Sequence, residues 1–196
     1  MRTAASLALL LCLWLGVLAD NASAQLFKPM KKANQSIGRQ DKPKINKDVE
    51  AKLTTANMHI IVDLSDQRAR LFAGDEVYVD TPISSGKRAG MTPTGDYTVL
   101  EKDADHRSNV YGDFVDGSNR VVRSGISQKI DSAPSGTHYR GAPMKWFMRL
   151  TDQGVGMHTG ILPGYPASHG GVRLPDEIAH LFFTKVKVGT PVSIVP

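Results

Sequence analysis

From about residue 55 onward, the chain is cut into short β-rich runs by glycine, proline and aspartate, and that spacing restricts the folds available to it. Residues 58–64 (M-H-I-I-V-D-L) are rich in β-branched side chains and read as a buried strand. Residues 69–72 and 77–79 flank Ala73-Gly74-Asp75-Glu76, a hairpin signal with glycine at the turn. Residues 81–85 continue as strand, 86–90 form a loop, Thr92-Pro93-Thr94-Gly95 is a strong turn, and 96–101 make a further strand. Residues 145–150 read as strand, and 186–196 close the chain as one or two more. Residues 175–183 read as a helix. Proline sits in its first turn, acids favour its N-terminal dipole, and Ile178, Leu181 and Phe182 share one face. The pattern predicts a mainly β, antiparallel sandwich or barrel with one short C-terminal helix, not alternating β/α units. Residues 103–144, rich in Gly, Ser, Asp and Asn, are less regular and predict a lid, a binding loop or a poorly ordered excursion.

The first 54 residues differ in kind. Arg2, the apolar run of residues 7–18 and Ala22-Ser23-Ala24 have the layout of a signal peptide cleaved after Ala24. The apolar run falls short of the roughly 20 residues needed to span a bilayer, so no stable span is expected after cleavage. Secretion across the inner membrane, to the periplasm or cell wall, is the expected destination. Cys12 is the only cysteine and lies inside this segment, so cleavage would leave no thiol and no disulfide. Residues 25–52 carry eight basic side chains against three acidic ones, and residues 53–196 are balanced, so the net charge belongs to the leader. A basic leader with few apolar residues, residues 25–54, is expected to be flexible, leaving 55–196 as the folded domain. Its charge also suits an anionic envelope polymer or lipid headgroups. Nucleic acid is not expected, since the folded part has no basic excess.

The densest polar constellation spans Met157-His158-Thr159-Gly160 and Pro166-Ala167-Ser168-His169-Gly170-Gly171-Val172-Arg173. His158 and His169 carry groups whose ordinary pKa suits proton transfer near neutrality. Glycines let backbone N–H groups approach a ligand closely, so a Ser-His-Gly-Gly turn can aim several donors at one oxygen.

The run H-T-G-I-L-P-G-Y-P-A-S-H-G-G-V-R-L-P resembles the active-site motif of the L,D-transpeptidases (YkuD-type domains), whose pattern is His, a glycine-bearing turn, then Ser-His-Gly-Cys-(Ile/Val)-Arg. V-D-L-S-D-Q-R-A-R-L-F, P-I-S-S-G-K, T-P-T-G-D-Y-T-V and M-K-W-F-M-R-L extend the resemblance over most of 57–196. It implies a sandwich-like fold with the two motif arms meeting at a cleft, peptidoglycan stem peptides as partners, and no metal or cofactor. By position, His158 would be the base and the backbone around Thr159 would orient its imidazole. Ser168, His169 and Gly170, with the amide of residue 171, would shape the oxyanion site. Arg173 would brace the turn or face a substrate carboxylate. One position departs: Gly171 stands where the family has its nucleophilic cysteine.

Three outcomes stay open. The chain is a cross-linking or wall-attachment enzyme by lineage, a binder of stem peptides without turnover, or a hydrolase using a water or hydroxyl. Ser168 and Thr159 lie beside imidazoles in sequence and are the hydroxyls available. No G-x-S-x-G elbow exists to support an esterase. His138, His158 and His169 match no usual zinc spacing. Each site residue also has a plainer role: His158 hydrogen-bonded at a strand end, His169 bracing a turn, Ser168 capping it, Arg173 in an ion pair.

Overall fold

The computed structural model describes residues 41–196; the expected signal peptide and leader residues 25–40 lie outside the described residues. In chain order the elements are β1 (Lys44–Ile45), α1 (Lys47–Glu50), β2 (Met58–Asp63), β3 (Arg68–Ala73), β4 (Glu76–Pro82), β5 (Gly95–Thr98) and β6 (Glu101–Asp103). There follow β7 (Arg107–Val115), β8 (Val121–Ser127), β9 (His138–Pro143), β10 (Phe147–Arg149), β11 (Gly156–Thr159), β12 (Val172–Leu174), α2 (Asp176–Lys185) and β13 (Pro191–Val195). The strands form three open sheets, ordered β1-β4-β3-β2-β13-β5, β12-β11-β10-β6 and β8-β7-β9. The fold is mainly β with a C-terminal helix, as the turn spacing predicts.

Alternation builds the core. Along β2, Met58, Ile60 and Val62 point inward while His59, Ile61 and Asp63 do not, and β3 alternates likewise. These side chains share one apolar cluster with Met148, Met157, Val172 and Leu174 of the four-stranded sheet and Ile178, Ala179 and Phe182 of α2. In β4, consecutive residues Tyr78 and Val79 are both buried because the pairing with β3 shifts by one residue between Leu71↔Val79 and Phe72↔Val77. Gly74, at φ +60°, makes the tight turn before Asp75.

Three sequence expectations are corrected. The sheets are not purely antiparallel: β13 pairs parallel with β2, and β11 parallel with β12. Parallel neighbours need a crossover of about a dozen residues or more, which the loop 160–171 supplies between β11 and β12. Residues 41–54 are not all flexible leader. β1 pairs with β4, Val49 of α1 is 2% exposed in the main core, and Lys185 Nζ meets Glu50 Oε1 at 2.7 Å. The one-turn helix α1 is therefore a second helix, capped by the Asn46 side chain accepting from Asp48 N.

Residues 103–144 are largely a strand sheet. Two of its glycines sit where backbones meet: a Cβ on Gly112 would run into Arg140 O, and one on Gly141 into Ser108 O. β8 is exposed over most of its length, so the run lacks the apolar alternation that would announce a strand. Among the described residues, no helix is long and apolar enough to cross a membrane.

Candidate active site

His158 lies on β11, between β10 and β12, and is 7% exposed. Its Nδ1–H donates to the carbonyl of Thr159 at 2.7 Å, which fixes the ring and leaves Nε2 as the acceptor. Burial pushes its pKa down to about 4, with Arg173 and His106 adding repulsion, so the imidazole is neutral at neutral pH.

Extended residues two apart face the same side, which brings 158 and 160 of one arm against 171 and 173 of the other. A Cβ built on Gly171 would stand 3.0 Å from His158 Nε2 and 3.2 Å from Gly156 O. The φ at 171 lies outside the positive region, so an ordinary side chain fits the backbone there; the imidazole would need to give by a few tenths of an ångström. Gly160 is small for a different reason. The Arg173 stem lies over it, with Cγ 2.6 Å from any Cβ it might carry. Arg173 Nη1 donates to Ile161 O at 3.4 Å, and its guanidinium has no carboxylate partner among the described residues.

The turn before Gly171 is held by a segment distant in sequence. Ser84 and Arg173 exchange backbone bonds of 3.0 Å each, Lys87 N donates to Ser168 O at 2.9 Å, and Ser168 N donates to Ser85 O at 2.9 Å. Buried Thr92 completes the clamp, its Oγ1 accepting from Gly86 N and donating to Gly170 O, each at 2.8 Å. Gly170 has φ +133°, and a Cβ there would meet Met91 O at 2.9 Å, so glycine is required. Ser168 is 3% exposed and its Oγ accepts from Gly170 N at 3.3 Å. The amides of His169 and Gly171 donate to no acceptor among the described residues. They remain available to an oxyanion.

The remaining side chains divide. Thr159 Oγ1 donates to Asp176 Oδ1 at 3.0 Å, tying β11 to the start of α2. His169 is turned toward other partners: its ring stacks on Tyr111 of β7 at 4.3 Å, and Lys87 Nζ donates to its Nε2 at 2.9 Å. Burial, Lys87 and Arg173 lower its pKa, which keeps it a neutral acceptor. Neither the Ser168 nor the Thr159 hydroxyl bonds an imidazole, so neither is poised as a nucleophile. His138 lies on β9, and among the described residues no three His, Cys, Asp or Glu side chains gather as a metal site. Sequence reasoning did not single out Lys87, Thr92 or Tyr111. The first two lie in the S-S-G-K and T-P-T-G stretches, where they read only as loop and turn.

Comparisons with known proteins agree with this fold. The family profile for the L,D-transpeptidase catalytic domain, YkuD, matches residues 57–194. The chain belongs to that family. Its fold is similar to an L,D-transpeptidase from Mycobacterium smegmatis, at TM-score 0.54 and 21% identity over 71% of this chain and 59% of that one. It is also similar to an L,D-transpeptidase solved in complex with imipenem, at TM-score 0.53 and 21% identity over 71% and 59%. A cysteine-to-serine mutant of the Enterococcus faecium L,D-transpeptidase matches at TM-score 0.50 and 25% identity over 71% and 50%. The chain thus spans about half to three-fifths of the length of these structures. No curated protein sequence matches it.

Proposed function

We propose that this is a secreted protein of the bacterial envelope, by lineage a peptidoglycan cross-linking domain, whose cleft binds stem peptides without cysteine-dependent acyl transfer. The periplasm or cell wall is its place of action. The observation that carries the reading is the empty side-chain position at Gly171, facing His158 Nε2 across 3.0 Å. In the family the cysteine at this motif position attacks the stem-peptide carbonyl and holds the acyl group as a thioester. Glycine offers no atom for that bond, and Cys12 lies in the segment read as signal peptide. Loss of the nucleophile from a preorganised acyl-transfer site costs on the order of 10⁶ in kcat, and oxyanion donors with binding retain about 10³–10⁴ over water. The oriented base, the free amides and the clamped turn support a retained binding cleft.

The test is incubation of the purified protein, without residues 1–24, with tetrapeptide stems. Saturable calorimetric binding with neither D-alanine release nor an acyl adduct by mass is the expected result. D-alanine release at ordinary enzymatic rates contradicts it, and release without an adduct would identify a hydrolase acting through water.

A further inference from the structure

The loop that supports the 168–173 arm also lines an open pocket of about 220 Å³, together with Leu64, Gln67 and Pro166. Part of that wall is polar and fixed. Gln67 Oε1 accepts from Ser85 N at 3.0 Å, and its Nε2 donates to Ser85 Oγ at 2.7 Å and Leu64 O at 2.8 Å. Lys87 and Arg88 both line the cavity and no acidic residue does. Among the described residues, neither of these cations makes an ion pair. An exposed lysine ordinarily swings freely, but the Lys87 ammonium is tethered to His169 Nε2 at 2.9 Å, and that ring is stacked on Tyr111 at 4.3 Å. An ammonium has three donors, so two remain for a ligand. Because the head is already held, binding costs less side-chain ordering. The cavity is smaller than the roughly 300 Å³ at which drug-sized ligand sites begin, so it suits the end of one residue and not a whole peptide.

We propose that this cavity is a carboxylate subsite. The Lys87 ammonium, steadied by His169, and the Arg88 guanidinium receive one carboxylate of a peptide bound along the 168–173 arm. The inference rests on the stem-peptide reading above and deepens it. His169 is then a positioning residue for Lys87, and the donors at Ser168 to Gly171 are left for the peptide's carbonyl.

The experiment is calorimetry with tetrapeptide stems amidated at one carboxylate at a time. One amidation is expected to weaken binding about ten- to hundredfold, the worth of a charge-assisted hydrogen bond. A Lys87→Gln/Arg88→Gln double variant should bind that amide and the free acid alike, with an unchanged melting temperature because both side chains are exposed; Lys87→Arg should recover the preference. If every singly amidated stem binds as tightly as the free acid, the subsite is overturned while stem binding stands. If no stem binds, the stem reading falls and N-acetyl-D-alanine decides the subsite. Saturable shifts of the Ser85 and Gly86 amide resonances that the double variant lacks sustain it, and their absence removes it. Orthophosphate producing the same shifts with equal affinity would mark a general anion site and overturn the carboxylate assignment.

Discussion

His158 folds as a neutral base in a closed position, and that has a consequence for stability. Its pKa of about 4 in the fold lies below the 6.5 of a free histidine, so the unfolded chain binds the extra proton more readily. Stability from this residue is complete above pH 6.5 and drains away as pH falls toward 4, at up to about 1.4 kcal/mol per pH unit. His169, also lowered, adds in the same direction. Asp63, Asp103 and Asp116 are held below their usual 3.8 chiefly by hydrogen bonds, and Glu50 below its usual 4.5 by Lys185, so their contribution starts to fall near pH 5 and overlaps only the acid end of the histidine window. Urea midpoints of the wild type should fall between pH 6.5 and 4, and His158→Phe should flatten that slope. An equal slope in both proteins would show that the ring is not buried neutral.

Short elements that carry few residues still matter for packing. Val49 in α1 is 2% exposed and enters the same core as β2 and α2. Val49→Ala should cost about 2 kcal/mol by denaturant titration; a loss near zero would mean that α1 is not docked. This element was hidden in the sequence because Lys44, Lys47, Asp48, Glu50 and Lys52 surround a single buried valine, and their charge outweighs it in any window. β2 was legible for the opposite reason: Met58, Ile60, Ile61 and Val62, four apolar residues out of six, announce a strand without help from context. α2 was legible from its proline, its acids and its apolar face. β7–β9 were not, because Gly112 and Gly141 read as turns while serving backbone approach. At the site, His158, Ser168, Gly170, Gly171 and Arg173 lie in two nearby runs and could be read together. Lys87, Thr92 and Tyr111 reach the same place from 58 to 82 residues before His169 and Gly170, through contacts no local pattern encodes.

Across the whole molecule, the main apolar cluster joins the six-stranded sheet, the four-stranded sheet and α2, while Phe114, Val115 and Ile126 of the three-stranded sheet are buried outside it. Local opening follows burial. Amides of β8 should therefore exchange with solvent faster than those of β2 and β13, and equal protection would place all three sheets in one cooperative unit. The core also holds the cleft independently of residue 171, since the 84–92 and 168–173 segments are joined by backbone bonds and the Thr92 clamp. Replacing that one residue should therefore restore chemistry without rebuilding the fold. The measurement is intact-mass spectrometry of Gly171→Cys after exposure to imipenem, beside the wild type. A single covalent adduct on the variant and none on the wild type is the predicted result. An inert, folded variant would contradict a cleft that kept its shape, and an adduct on the wild type would contradict the loss of its nucleophile.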